Sequence, residues 1–275
     1  MTVPDLLMND GRTIPQIGFG VWQVPDEIVT DATLSAFENG YRHVDTAAVY
    51  ANERGVGEAI ARSGLDREDL FITTKVWNTD HGYDETLANF ETSLTLLGLD
   101  EVDLYLVHWP APAIDRYTET WRAVMELHRQ GRARSIGVSN FKAHHLHRII
   151  DEYGVVPSVN QIELQPWLPQ RELRDLHAEL GILTEAWSPM ASGALIDDPL
   201  IGSIADKHGR TPAQVMIRWH LQIGNIVLPK SITPSRIKEN IAVFDFSLDD
   251  ADLAAIATLE SGRRTGPDPD DFNEL

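Results

Sequence analysis

Cysteine is absent from the sequence, which excludes disulfides and thiolate-ligated metal and leaves the redox compartment unmarked. Lysine is scarce: five lysines stand against eighteen arginines, and Lys75 is the only lysine before Lys142. Positive charge is short overall, with a formal net charge of −19, a balance that repels nucleic acid and anionic membrane surfaces. No apolar run approaches the ~18 residues that a membrane span requires. The opening stretch, MTVPDLLMNDGR, lacks the basic and long apolar regions of a secretory signal, so the expected location is cytoplasmic. No Pro/Gly/Ser-rich or charged linker divides the chain, and 275 residues with 43% hydrophobic content suit a single domain spanning 1–275.

What is present is a repeated grammar of short apolar runs and helical patterns. Residues 26–39 place Ile28, Val29, Ala32, Ala36 and Phe37 on one helical face before Gly40. Leu87, Phe90, Leu94 and Leu97 precede Gly98 and the run VDLYLVHW; Trp121, Val124, Met125 and Leu127 precede Gly131 and ARSIGVSN. Leu146, Ile149, Ile150 and Tyr153 precede Gly154 and SVNQIEL, and Leu173, Leu176 and Leu180 precede Gly181 and ILTEAWSP. A glycine after the last periodic residue supplies a left-handed helix stop. The apolar runs end in polar or aromatic residues at Asp45, Lys75, His108, Asn140, Gln161, Trp187 and Lys230. Their spacing, mostly about thirty residues or somewhat less, is that of one β/α unit with parallel strands.

Counting from IGFG (17–20) gives eight strands, hence an α/β fold of the (β/α)8 TIM barrel type. Before it, LLMNDGRTI reads as a hairpin turning at Asp10-Gly11 in a type I′ turn. The interval between Trp187 and Lys230 has room for two helices, one around Leu200 to His208 and one begun by Thr211 as N-cap with Pro212 at the first helical position. Two extra helices follow the eighth strand. One runs through Ile237, Ile241 and Phe244; the other is begun by Ser247, with Asp250 three positions on in the manner of a capping box. The closing segment GRRTGPDPDDFNEL reads as an ordered or partly ordered tail.

Familiar site signatures are broken. A Rossmann phosphate loop needs G-x-G-x-x-G between strand and helix, but Gly55-Val56-Gly57 is followed by Ile60 and preceded by ANER, which is not a strand. The esterase elbow G-x-S-x-G fails because Gly137-Val138-Ser139-Asn140 leads into Phe141. His145 and His147 fall in a helical pattern and face different ways, so with no cysteine and no strand-borne histidine pair a metal site is not expected.

Asp45, Tyr50, Lys75 and His108 remain, all at or just beyond the ends of apolar runs, where an α/β barrel keeps its chemistry. A phenol with a reference pKa near 10 is protonated at neutral pH but is a sluggish donor. A lysine ammonium beside it stabilises the anion, and Asp45 can hold that lysine. A histidine opposite can donate a hydrogen bond to a carbonyl oxygen and orient it. Singly, each has a plainer reading: a helix cap for Asp45, a wedge of core for Tyr50, a buried hydrogen-bonded ring for His108. Four at successive strand ends point to a site. Against the acidic background, PKSITPSRIK holds Lys230, Arg236 and Lys238 with no acid among them.

The stretches DTAAVYANERGVG, ITTKVW, VDLYLVHWP, IGVSNF, VNQIELQPW and PKSITPSRIKEN occur in this order over nearly the whole chain. Together they resemble the aldo-keto reductase family, and most of all the bacterial branch that includes the 2,5-diketo-gluconate reductases. The resemblance implies a (β/α)8 barrel closed at its bottom by the hairpin, binding extended NADPH without a Rossmann domain and transferring hydride from NADPH to an aldehyde or ketone. On matching positions it implies Tyr50 as general acid, Lys75 as the group that lowers its pKa, Asp45 as the anchor of Lys75, and His108 as the group that orients the carbonyl. It implies nicotinamide carboxamide contacts at Ser139, Asn140 and Gln161, and a pyrophosphate loop with Ser188, Met190 and Ser192. Lys230, Ser231 and Arg236 fit the adenosine 2′-phosphate, with Glu239 and Asn240 near the adenine.

Two departures stand out. Where many members stack a tyrosine on the nicotinamide, this sequence has Trp187, whose larger face can also stack. The segment after His108 and the C-terminal tail are short, so they carry no substrate inference; Trp22, Trp77 and Trp109 follow strand ends and would line an apolar, open pocket together with His108. The expectation is therefore an NADPH-dependent reductase of small aldehydes, dicarbonyls and ketones, monomeric, needing no metal, nucleic acid or membrane. Two competing readings use the same barrel. A non-catalytic nucleotide-sensing or structural protein would not need all four site residues, and a lyase or isomerase with Lys75 as a Schiff base would not need the late basic patch.

Overall fold

The computed structural model describes residues 3–275. Strands β1 (Asp5–Leu7) and β2 (Thr13–Pro15) form the antiparallel hairpin, with Leu6 opposite Ile14. Its turn is not type I′, which needs positive φ at both central residues. Only Gly11 is left-handed there (φ 84°); the Asp10 carboxylate instead accepts from the Arg12 amide at 2.9 Å, and Gly11 N donates to Met8 O.

Eight parallel strands follow: β3 (Phe19–Gly20), β4 (His43–Asp45), β5 (Phe71–Val76), β6 (Val102–Val107), β7 (Ala133–Ser139), β8 (Val159–Glu163), β9 (Leu183–Trp187) and β10 (Ile226–Val227). Each pairs with its neighbour in sequence, and a parallel bridge between Ile17 and Val227 joins the first to the last. This is the (β/α)8 barrel the unit period demanded. The helices are α1 (Asp26–Glu38), α2 (Glu53–Arg62), α3 (Tyr83–Leu97), α4 (Tyr117–Arg129), α5 (Ala143–Tyr153), α6 (Arg171–Leu180), α7 (Pro199–His208), α8 (Pro212–Gln222), α9 (Pro234–Ile241) and α10 (Asp250–Ala257). None is long and apolar enough to cross a membrane.

Local chemistry sets the helix ends. Thr211 caps α8, its hydroxyl accepting from Gln214 N while the Gln214 side chain returns to Thr211 N at 3.1 Å, and Pro212 occupies the first turn, where a missing N–H costs nothing. The cap of α10 is Asp249, not Ser247: the Asp249 carboxylate accepts from Asp252 N at 2.9 Å, whereas the Ser247 hydroxyl is taken by Arg218. α9 stops at Ile241, and Phe244 packs on the core from the loop beyond it. Ile28 is exposed, while Val29, Ala32, Ala36 and Phe37 of the same helix are buried.

The main core lies between barrel and helices, with Trp121, Phe90 and Phe141 among its fully buried side chains. A separate apolar cluster of Met8, Ile14, Phe71, Leu104, Leu106, Val159 and Ile226 joins the hairpin to the barrel interior and plugs the end opposite the strand C-termini.

Candidate active site

The site begins with a buried cation. Lys75, next to last in β5, is fully shielded from solvent; its Nζ donates to Asp45 Oδ1 at 2.7 Å and to the Thr46 carbonyl at 2.8 Å. An ammonium taken out of water costs several kcal/mol unless paired and hydrogen-bonded; here it is both. Tyr50 follows on a single 3₁₀ turn, Ala48–Tyr50, which puts its ring centroid 5.1 Å from Lys75 Nζ. The His108 ring meets the Tyr50 ring edge-on, centroids 5.6 Å apart. The four residues proposed from the sequence are thus brought to one place.

Burial pulls the Lys75 ammonium down, but the Asp45 charge, the Tyr50 phenol and the hydrogen bond Lys75 donates to Asp45 together carry it above its ordinary value. Lys75 is therefore a fixed positive charge and not a free amine. Burial raises the Tyr50 phenol; Lys75 lowers it, Asp45 and Glu185 raise it, and the net direction is upward. The cation acts on the phenol in the sense expected from the sequence, yet desolvation outweighs it. His108 is held well below the ordinary imidazole value by burial, Lys75 and His81, so its ring is neutral and has a hydrogen to donate.

Around this centre lie the amides. Asn140, left-handed at φ 64°, donates from Nδ2 to the His108 carbonyl at 2.9 Å and to Ser139 Oγ at 3.1 Å. Its Oδ1 accepts from Trp187 Nε1 at 2.8 Å, which fixes the indole. The Gln161 side chain donates from Nε2 to Asp45 Oδ2 at 2.8 Å and to Glu185 Oε2 at 2.7 Å. Ser139, Asn140, Gln161 and Trp187 therefore form one hydrogen-bonded wall beside Lys75.

The loop after Trp187 is strained, with positive φ at Ser188, Ala191 and Ser192, none of them glycine, a cost of order 1–3 kcal/mol each that persists where structure over-determines it. Ser188 and Ser192 approach each other at 3.4 Å, and Met190 packs toward the cluster of α7 and α8. Lys230 and Arg236 are exposed, Ser231 and Asn240 are buried, and Glu239 accepts from the Thr211 hydroxyl at 2.7 Å, committing it to the α8 cap. Neither Lys230 nor Arg236 is ion-paired among the described residues.

The aromatic wall gains a member that sequence reasoning missed. Phe272 of the tail lies 4.3 Å from the Trp109 ring and 6.0 Å from the Trp77 ring, centroid to centroid, and Trp77 lies 5.1 Å from His108. Trp22 stands half exposed. The tail, short as it is, reaches the site. Glu163 holds it there, accepting from the Thr265 hydroxyl at 2.8 Å and Gly266 N at 3.2 Å. A Cβ on Gly266 would come within 2.5 Å of the Trp187 ring, so only glycine lets the tail pass so close to the indole. Lys142 anchors the next turn through Asp268 and Asp270. The tail has no period to read, and the one signal for Phe272 was an isolated aromatic in a polar segment.

One grouping of possible metal-binding side chains occurs among the described residues, His144, His145 and Asp270. Its chemistry is that of an ion pair: His145 Nδ1 accepts from Lys142 N at 3.2 Å, which leaves the ring hydrogen on Nε2 facing Asp270, and Lys142 Nζ sits 2.7 Å from the same carboxylate. Glu185, fully buried on β9, is the other unforeseen member of the site. An acid inside the run ILTEAW was its signal.

Known proteins resemble this chain along nearly its whole length. The Aldo/keto reductase family profile matches residues 16–261. A methylglyoxal reductase, DkgA, of Escherichia coli is 53% identical over 268 residues, covering 96% of each chain. A crystal structure of an aldo/keto reductase from Brucella melitensis superposes with a TM-score of 0.91 at 54% identity, covering 94% of this chain and all of the other. A mutant of Gox0644, solved in complex with NADPH, superposes with a TM-score of 0.95 at 49% identity, covering 99% of both chains. With the family profile spanning nearly the whole barrel and relatives above half identity along its length, this chain belongs to the aldo/keto reductase family.

Proposed function

We propose that the chain reduces small aldehydes, dicarbonyls and ketones to alcohols with NADPH, Tyr50 acting as general acid. One observation carries this reading: a buried ammonium, Lys75, held by Asp45 and set against the Tyr50 ring with a neutral His108 edge-on to it. NADPH supplies the hydride. The residues fit such a cofactor: the Ser139, Asn140 and Gln161 group offers the polar partners a carboxamide needs, Trp187 offers a fixed flat face, and the exposed Lys230 and Arg236 suit a 2′-phosphate.

In this scheme His108 donates to the substrate carbonyl oxygen and sets its direction, and Tyr50 gives that oxygen its proton. Lys75 stabilises the phenolate that remains, and Asp45 keeps Lys75 charged. A Schiff-base role for Lys75 conflicts with its raised pKa and its two hydrogen bonds, because a nucleophilic lysine needs a depressed one. A monomer is the expected state, and the net charge of −19 disfavours nucleic acid as a partner. The E. coli relative named as a methylglyoxal reductase favours dicarbonyls within the substrate class. The test is NADPH oxidation against methylglyoxal, phenylglyoxal and simple ketones; no carbonyl-dependent consumption of NADPH across that panel would overturn the reading.

A further inference from the structure

Beneath the Lys75–Asp45 pair lies a second buried acid that the proton-transfer scheme does not use. Glu185 is fully shielded from solvent on β9 and stands in register with Gln161 on β8. On its other side β10 places Ile226 in register with it. Its Oε2 accepts from Gln161 Nε2 at 2.7 Å, while Oε1 has no hydrogen-bond partner and lies 3.8 Å from His43 Nε2. The charged and titratable groups that face it are Asp45 and His43 from β4, Lys75 from β5 and, beyond them, Tyr50. His43 is neutral, since burial pulls it to about 3.

The amide of Gln161 has two N–H hydrogens, and both are committed: one to Asp45, one to Glu185. Two carboxyl acceptors on one amide nitrogen leave that side chain a single orientation, with Oε1 the free acceptor. A nicotinamide carboxamide has an N–H for it to accept. We propose that Glu185 is a positioning residue for carbonyl reduction: it locks the Gln161 amide so that Oε1 faces the cofactor, and as the second acid facing Lys75 it sets whether that cation serves one carboxylate or two. The inference rests on the proposed function and adds a residue to it.

Burial first, and then the Asp45 charge, push the Glu185 carboxyl up to about 8. Below that pH the carboxyl is neutral, and Lys75 serves Asp45 and Tyr50 alone. Above it a new buried negative charge raises Tyr50 further, making the phenol a poorer donor.

Two variants separate the roles. Glu185→Gln keeps an acceptor for Gln161 but cannot ionise; Glu185→Leu removes the acceptor. NADPH affinity, read by quenching of tryptophan fluorescence without substrate, is expected to fall about tenfold in Glu185→Leu and to be restored most of the way in Glu185→Gln. In the wild type, kcat for reduction is expected to decline through an inflection near pH 8, and that inflection should vanish in Glu185→Gln. Without cofactor, the wild type should lose stability relative to Glu185→Gln as pH rises from about 5 to about 8, because a carboxyl with a raised folded-state pKa holds its proton in the native state and releases it on unfolding. An unchanged inflection in Glu185→Gln, or wild-type NADPH affinity in a folded Glu185→Leu, overturns the proposal. Absence of carbonyl reduction by the wild type would instead strike the functional reading, since the binding and stability arms do not depend on turnover.

Discussion

Lys75 Nζ lies 2.7 Å from Asp45 Oδ1 with both side chains shut away from water. Removing one partner strands the other charge in the barrel. Asp45→Ala is expected to destabilise the fold by ~3–5 kcal/mol, and Lys75→Met to lose turnover while keeping more of the fold, because Asp45 still accepts from Gln161 Nε2 whereas an ammonium without Asp45 keeps only the Thr46 carbonyl. Thermal unfolding beside kcat for both variants checks this; equal stability loss would contradict it.

Tyr50→Phe deletes one oxygen at a ring otherwise held by packing against His108. Carbonyl reduction is expected to fall by roughly 10²–10⁴, with NADPH affinity near that of the wild type. Turnover close to wild type would remove Tyr50 from the proton-donating role.

Arg236 stands exposed beside Lys230 and Ser231 on a chain whose overall charge is negative. A guanidinium grips a phosphate through two parallel hydrogen bonds, and only NADPH carries the 2′-phosphate. Arg236→Ala should weaken NADPH far more than NADH; equal losses, measured by titration with each cofactor, would count against the assignment.

Phe272 packs its ring against Trp77 and Trp109, and among the described residues it forms no ring pair with Trp187. Phe272→Ala is therefore expected to change KM for aromatic substrates such as phenylglyoxal more than for methylglyoxal, and to leave the NADPH Kd in place. Identical KM changes for both substrates would argue that the tail acts only through stability.

Substrate activation sets the last prediction. A carbonyl next to the reacting one makes the carbon more electrophilic, so a loosely held substrate accepts hydride without large remote binding energy. Methylglyoxal or phenylglyoxal should exceed acetone in kcat/KM, and an anionic keto acid should improve as salt screens the net charge of −19. Acetone performing as well as the dicarbonyls would refute the expectation.

The strand ends were legible because a barrel concentrates its chemistry there, so Asp45, Lys75, His108 and Asn140 announced themselves by where apolar runs stop. Residues whose roles depend on long-range contacts were not. Glu185 sits within an apolar run, and only its register with Gln161 makes it part of the site. Phe272 lies in a segment with no period to read, placed by Glu163 and Lys142 from distant strands and helices. Asp249 displaced Ser247 as a cap because Arg218, 29 residues before the serine, claims its hydroxyl.

The apolar plug of Met8, Ile14 and their neighbours makes the barrel a vessel with one opening. Hydrogen ions reaching Tyr50, Lys75 or Glu185 must come through the mouth that substrate and product also use. Recharging the phenol after each turnover therefore waits on the same traffic as product departure, and an inhibitor seated across the mouth would shut off solvent hydrogen exchange at the buried lysine as well as catalysis.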